Sequence, residues 1–227
     1  MERQELFNIL SSFIRRRTEV YENIKGERML REYFITSTAA IIVFSGLYGA
    51  VMGTYAGGLQ ILYDAVKIPL LLLLSMYISL PTYYILNGVL GGELSLRQLY
   101  ALFQISIAVM SSMLMAFLPV TLFFILTTFE RSFVMYAFNV LLNVLFFGIG
   151  GLFALKYLLD GFKYVHGENR SWKPAMLLGS CVLTFVGTQL AWVLRPYFHL
   201  SIDFISRPRG NFYIALFELV LRLFLGR

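Results

Sequence analysis

Apolar residues run through this chain in long unbroken blocks, separated by short polar connections. The blocks extend from about Tyr33 to Gly53, Lys67 to Leu90, Leu99 to Thr128, Phe133 to Leu158 and Pro174 to Leu194. Each meets or exceeds the ~20 residues that a helix needs to cross a hydrocarbon core of ~30 Å. The third block is the longest at ~45 Å of helix, so it must tilt, bend or extend into the headgroups, and Pro119 is its natural bend. Neither half of it is long enough to span alone. In the second block Pro69 sits in the first turn, where a missing N–H is harmless, whereas Pro81 is interior and predicts a kink.

Two flanking segments follow a different pattern. Residues 1–32 are charged, with Leu6, Phe7, Leu10, Phe13, Ile14, Val20 and Ile24 at helical intervals, which predicts an amphipathic arm broken near Gly26. Residues 195–227 form a basic linker and then a helix capped by Asn211; its ~16 residues are short for a span and predict an interfacial helix. The fold class expected is therefore an all-α integral membrane protein. It comprises an arm (1–32), a five-span bundle (33–194) and a tail (195–227).

Composition strengthens that reading. The 227 residues are 58% hydrophobic and only 14% charged, against about 25% charged in ordinary soluble domains. The net charge of +6 suits a chain lying against anionic lipid, so nucleic acid is not an expected partner. A single cysteine, Cys181, excludes an intrachain disulfide. The first apolar block begins too far into the chain for a cleaved secretory signal.

Charge also predicts orientation. With the N-terminus inside, the inner segments hold seven basic residues in the arm together with Arg97, Lys156, Lys163, Arg170 and Lys173. The outer side holds Lys67, Arg131, Arg195, Arg207, Arg209, Arg222 and Arg227. This bias predicts a cytoplasmic arm. The basic tail is the misfit: either its arginines have specific partners outside, or span two is re-entrant and the tail is cytoplasmic. The arm itself reads as a helix on the membrane surface or as a docking surface for a soluble partner.

Small and polar residues inside the blocks are candidates for packing or for a path. Ser45, Gly49 and Gly53 recur every four residues and offer a close-approach face, read as packing within the chain. Asn139 and Asn143 lie one turn apart and read as interhelical hydrogen-bonding groups. Asp64 and Lys67 are expected to pair at the outer interface, placing every acidic residue in the arm, connections or tail and none inside a span. That arrangement disfavours an ion-coupled carrier, which normally keeps an ionisable group within the bilayer.

No reactive constellation emerges from the sequence. His166, His199 and Cys181 fall in separate segments, so no metal site or Cys–His nucleophile is expected, and no phosphate-cradling glycine loop is present. No catalytic residue, metal or cofactor is predicted, and the chain is expected not to be an enzyme. Arginines, aromatics and prolines concentrate instead between Gln189 and Tyr213. Candidate lipid or partner contacts are Arg195, Arg207, Arg209, Trp192, Gln189 and Asn211, with Asn87 and Tyr83 from span two. Arginine suits a lipid phosphate through its planar fork, but Arg195 beside Trp192 and Tyr197 reads first as an interface anchor at a span end.

Lys67-Ile-Pro69, Pro81-Thr-Tyr83, Asn87-Gly-Val-Leu-Gly91, Gln189-x-x-Trp192-x-Leu-Arg195-Pro196-Tyr197 and Arg207-x-Arg-Gly-Asn211-Phe-Tyr213 together resemble a family of uncharacterised bacterial polytopic membrane proteins, some members of which are labelled actin-binding. Only the arm could supply the exposed segment that actin binding requires. The five-span plan with a cytoplasmic arm is also similar to that of the Yip-type membrane proteins of vesicle traffic. The resemblance implies no reaction. The expectation drawn from all of this is a non-enzymatic subunit or scaffold of an inner-membrane assembly. It would dock other membrane or peripheral subunits through its arm or tail. The alternative is a lipid-binding or lipid-transport protein with a phosphate site at the last span's arginines.

Overall fold

The computed structural model describes residues 3–92, 94–128, 132–167, 172–195, 197–198, 204–205 and 210–225. Among them the regular structure is entirely helical. The arm folds as α1 (Arg3–Arg15) and α2 (Arg17–Lys25). Span one is α3 (Leu30–Ala40), a π-helical turn at Ile41–Ser45 and α4 (Gly46–Gly53). The remaining spans are α5 (Gln60–Val89), α6 (Leu96–Thr127), α7 (Phe133–His166) and α8 (Trp172–Val193). After the linker comes α9 (Phe212–Leu225). Five helical segments, Leu30–Gly53 and α5 to α8, are long and apolar enough to cross a membrane.

The helix boundaries follow local chemistry. Ser95 caps α6 reciprocally, its Oγ accepting from Gln98 N while Gln98 Oε1 accepts from Ser95 N. Ser132 Oγ accepts from Met135 N at the start of α7, and Asn211 Oδ1 accepts from Ile214 N at the start of α9. Asn211 is thus the cap expected of it. Helix α5 runs continuously through Pro69 and Pro81. Span two, the candidate for a re-entrant segment, is one 30-residue helix.

The small-residue face of span one packs within the chain. A Cβ at Gly53 would lie 2.6 Å from the Gln60 carbonyl oxygen, and one at Gly49 would collide with the backbone of Asp64. Only glycine lets α4 and the start of α5 approach so closely. The asparagines of α7 face inward. Asn143 Oδ1 accepts from Tyr48 Oη, and Thr121 Oγ1 donates to that same Tyr48 oxygen at 3.2 Å. Three helices are joined there by one polar cluster. Asn139 Nδ2 donates to the Met135 carbonyl within its own helix.

The arm is seated on the bundle. Phe13, Val20, Tyr21 and Ile24 are buried, and Tyr21 Oη donates to the Tyr157 carbonyl of α7 at 2.9 Å. Gln98 Nε2 donates to the Lys25 carbonyl, and Ser95 Oγ donates to Glu27 Oε1. The tail lies at the other end, where Phe198 packs edge-on against Tyr55, and Phe204 against Tyr63. Arm and tail therefore occupy opposite ends of the bundle.

Candidate functional site

The first turns of α5 differ most from the sequence reading. The connection 54–66 was expected as a loop. Instead Gly57 and Gly58, both at positive φ, complete the turn and α5 starts at Gln60. Asp64 and Lys67 consequently lie inside the helix, three residues apart on one face. They do pair, Lys67 Nζ to Asp64 Oδ1 at 3.2 Å, but both side chains are fully buried. Gln60 Nε2 donates to Asp64 Oδ1 at 2.8 Å. The expectation that no acidic side chain lies inside a span is corrected by Asp64. Charges are admitted because each neutralises the other. At ~45 Å, α5 exceeds a ~30 Å core, so its first turns fall at the boundary rather than the centre.

The tail covers this pair. Lys67 Nζ lies 5.5 Å from the centroid of the Tyr197 ring and 5.6 Å from that of Phe204. Two aromatic rings from beyond span five thus meet the ammonium of span two. The Tyr197 hydroxyl and Asp64 Oδ2 are buried with no hydrogen-bond partner among the described residues. Burial raises the Tyr197 phenol above its ordinary range, and the Asp64 carboxylate adds to the effect, so the hydroxyl stays protonated.

A second arrangement lies where α8 ends and α9 begins. The Arg195 guanidinium stacks on the Trp192 ring at 3.8 Å. Both residues line a cleft of about 370 Å³ together with Asn211, Ile214, Ala215 and Glu218. Trp192 Nε1 is buried and donates to nothing among the described residues. Arg195, Trp192 and Asn211, singled out from sequence, are brought together here, with Glu218 added by the fold. Gln189 is half-buried in α8. Arg207 and Arg209 lie outside the described residues.

Tyr83 and Asn87 belong to the opposite end. Tyr83 is fully buried, 2.9 Å from Ser180 Oγ and edge-on to Phe103 at 4.5 Å. Asn87 Nδ2 donates to the Leu94 carbonyl at 3.4 Å. A further cleft of about 430 Å³ opens beside Asn87, lined also by Tyr84, Gly88 and Leu94. Tyr83, Asn143 and Arg195 stand in separate neighbourhoods rather than along one polar path.

Charge is distributed unevenly between the two ends. At the arm end Arg15, Arg16, Lys25, Arg28, Arg31, Arg97, Lys156, Lys163 and Lys173 are all exposed, against exposed Glu5, Glu19, Glu22 and Glu27. The arm is itself nearly balanced, with seven basic and six acidic residues in 1–32, and it is the neighbouring Arg97, Lys156, Lys163 and Lys173 that make this end a basic cap. Phe7 and Ile14 stand exposed on it, at 65% and 45%.

Among the described residues the structure is helical, with five helices long and apolar enough to cross a membrane, a basic cap at one end and an aromatic, charge-containing closure at the other. No protein-family model, curated protein or solved structure matches the chain.

Proposed function

We propose that this chain is a non-enzymatic, multi-pass subunit of a bacterial inner-membrane assembly, and that its seated arm is the platform on which an acidic partner docks. The observation that carries the reading is the fixation of the arm. Its apolar residues Phe13, Val20, Tyr21 and Ile24 are spent on the bundle, and three hydrogen bonds tie it there. Arg15, Arg16, Lys25, Arg28 and Arg31 are left exposed on it, while Arg17 is half-buried over the Tyr157 ring.

A pre-organised surface loses less entropy on binding than a flexible one. An arm built only to lie on lipid would keep its apolar face for the bilayer; here most of that face is turned inward. The positive-inside rule assigns this end to the cytoplasm. In this reading the reaction or motor work belongs to the partner, and the chain supplies position. The test is purification of the full-length protein from native membranes in mild detergent. A partner retained at low salt and released as salt rises supports docking through the cap. A monomer with no stable partner contradicts it.

A further inference from the structure

The joint between the arm and span one holds two strained residues. Glu27 and Met29 both carry left-handed backbone, at φ 52° and 56°, a conformation costly for any side chain with a Cβ. Such residues persist only where their surroundings over-determine them, and they cluster at switch regions. We infer that this joint is one half of a conformational catch, that the reciprocal cap at the start of α6 is the other half, and that the two open and close together. The catch operates whether or not a partner docks on the arm.

Two side chains each serve both halves. Ser95 Oγ accepts from Gln98 N at 3.2 Å, capping α6, and donates to Glu27 Oε1 at 2.6 Å. A hydroxyl has one hydrogen to give and lone pairs to spare, so the two bonds coexist. The carboxylate acceptor makes the second of them charge-assisted. Gln98 Oε1 accepts from Ser95 N at 2.9 Å, while its Nε2 donates to the Lys25 carbonyl, also at 2.9 Å. Lys25 lies just before the strained pair and Glu27 within it. The helix cap therefore grips the joint at two points.

Behind the cap, the same turn is tied to the end of α5. Asn87 Nδ2 donates to the Leu94 carbonyl at 3.4 Å, and Gly92 N donates to the Asn87 carbonyl at 2.7 Å. A shift of the joint is thus passed to the turn between spans two and three, and a shift of that turn to the joint. Coupling between two sites is reciprocal. On the arm side, Asn23 Nδ2 donates to Tyr33 Oη at 2.8 Å, and buried Phe13, Val20 and Ile24 hold α1 and α2 on the bundle. Opening the catch frees the joint and leaves that apolar seat in place.

Amide hydrogen exchange of the full-length protein in nanodiscs, read over residues 9–24, 25–30 and 95–99, tests this. Ser95→Asp keeps a good N-cap but cannot donate to Glu27 and sets a second carboxylate against it. Exchange over 25–30 should rise by about ten-fold, the scale of one charge-assisted hydrogen bond, with 95–99 still protected. Ser95→Thr, which keeps both donor and acceptor, should match the wild type. Glu27→Ala alters only the arm half, yet exchange over 95–99 should rise by at least about five-fold, the lower end of common coupling energies. Residues 9–24 should stay protected in every variant. Ser95→Asp indistinguishable from the wild type, or Glu27→Ala with no effect over 95–99, overturns the inference. Loss of protection across 9–24 also overturns it, because the hold on the arm would then not be separable from the catch.

Discussion

Lys67 of span two holds its ammonium 5.5 Å from the centre of the Tyr197 ring, which belongs to the stretch beyond span five. The two positions come from the two segments that each carry two prolines, Pro69 with Pro81 and Pro196 with Pro208, and the fold brings them together at the tail end of the bundle. The same ammonium pairs with buried Asp64. It therefore ties a helix start to the tail through both an ion pair and an aromatic contact.

Removing one member of that pair should cost more than removing both. Lys67→Met strands a buried carboxylate, with an expected loss of about 3–5 kcal/mol. Adding Asp64→Asn to the same protein should recover part of that loss. Thermal unfolding in detergent, followed by helical circular dichroism, reads both. Additive losses in the double variant would show that Asp64 and Lys67 do not act as a unit.

Glycine substitutions separate close approach from mere flexibility. Gly49→Ala drives a methyl group into the Asp64 backbone, and Gly53→Ala meets Gln60 and Ile61 backbone atoms. Either should sharply lower the yield of folded protein. Gly88→Ala has open space at its Cβ and sits inside α5. It should be neutral or stabilising by up to about 1 kcal/mol. Size-exclusion profiles of the three variants decide between these outcomes.

The seating of the arm should respond to Tyr21. Tyr21→Phe removes the bond to the Tyr157 carbonyl, worth about 1 kcal/mol, and should speed limited proteolysis between Arg15 and Arg31. Burial, and then the charge of Asp160, raise the Tyr21 phenol above its usual 10.0. A raised acid favours the folded form while protonated. Its contribution is thus fully present below pH 10 and lost as the pH rises beyond it. Arm protection should be flat across neutral pH and fall only in strong alkali, and a fall near neutrality would point to a different group.

Met29 carries a left-handed backbone, φ 56° and ψ 20°, at the joint between arm and span one. That conformation costs a non-glycine residue about 1–2 kcal/mol. Met29→Gly relieves it but loosens the unfolded chain by about 0.5–1 kcal/mol. The net expectation is a gain of no more than about 1 kcal/mol in thermal stability. A clear loss would mean that the Asn23 contact with Met29 Sδ, at 3.9 Å, matters more than the backbone.

Much of the architecture was legible in the apolar blocks, because nothing but a helix can bury so long an apolar run without stranding its backbone groups. The segments and the tail helix fall within a few residues of the pattern, except that α5 begins at Gln60 rather than Lys67 and α7 continues through Asp160 to His166. The start of α5 was not legible. Asp64 and Lys67 look like loop residues until their mutual neutralisation is known, and that depends on the helix that places them three residues apart. The cleft was half legible. Trp192, Arg195 and Asn211 stood out for their types and company. Glu218 looked like a surface charge until α9 packed beside α8 and placed it in the lining of the same cleft. Tyr83 and Asn87 lie late in span two, which the sequence already directs back towards the arm, and they stand apart from that cleft.

The central claim is that the seated arm, within the basic cap it shares with the adjacent helix ends, docks an acidic partner. It is tested most directly by purifying the wild type and an Arg15→Glu, Arg16→Glu, Arg28→Glu triple variant from native membranes in parallel. All three positions are exposed, so the bundle should fold in both proteins. The account predicts a stoichiometric partner with the wild type that is lost with the variant, while helical content and arm protection are unchanged. A partner retained equally by the two proteins, or no partner with either, would contradict it.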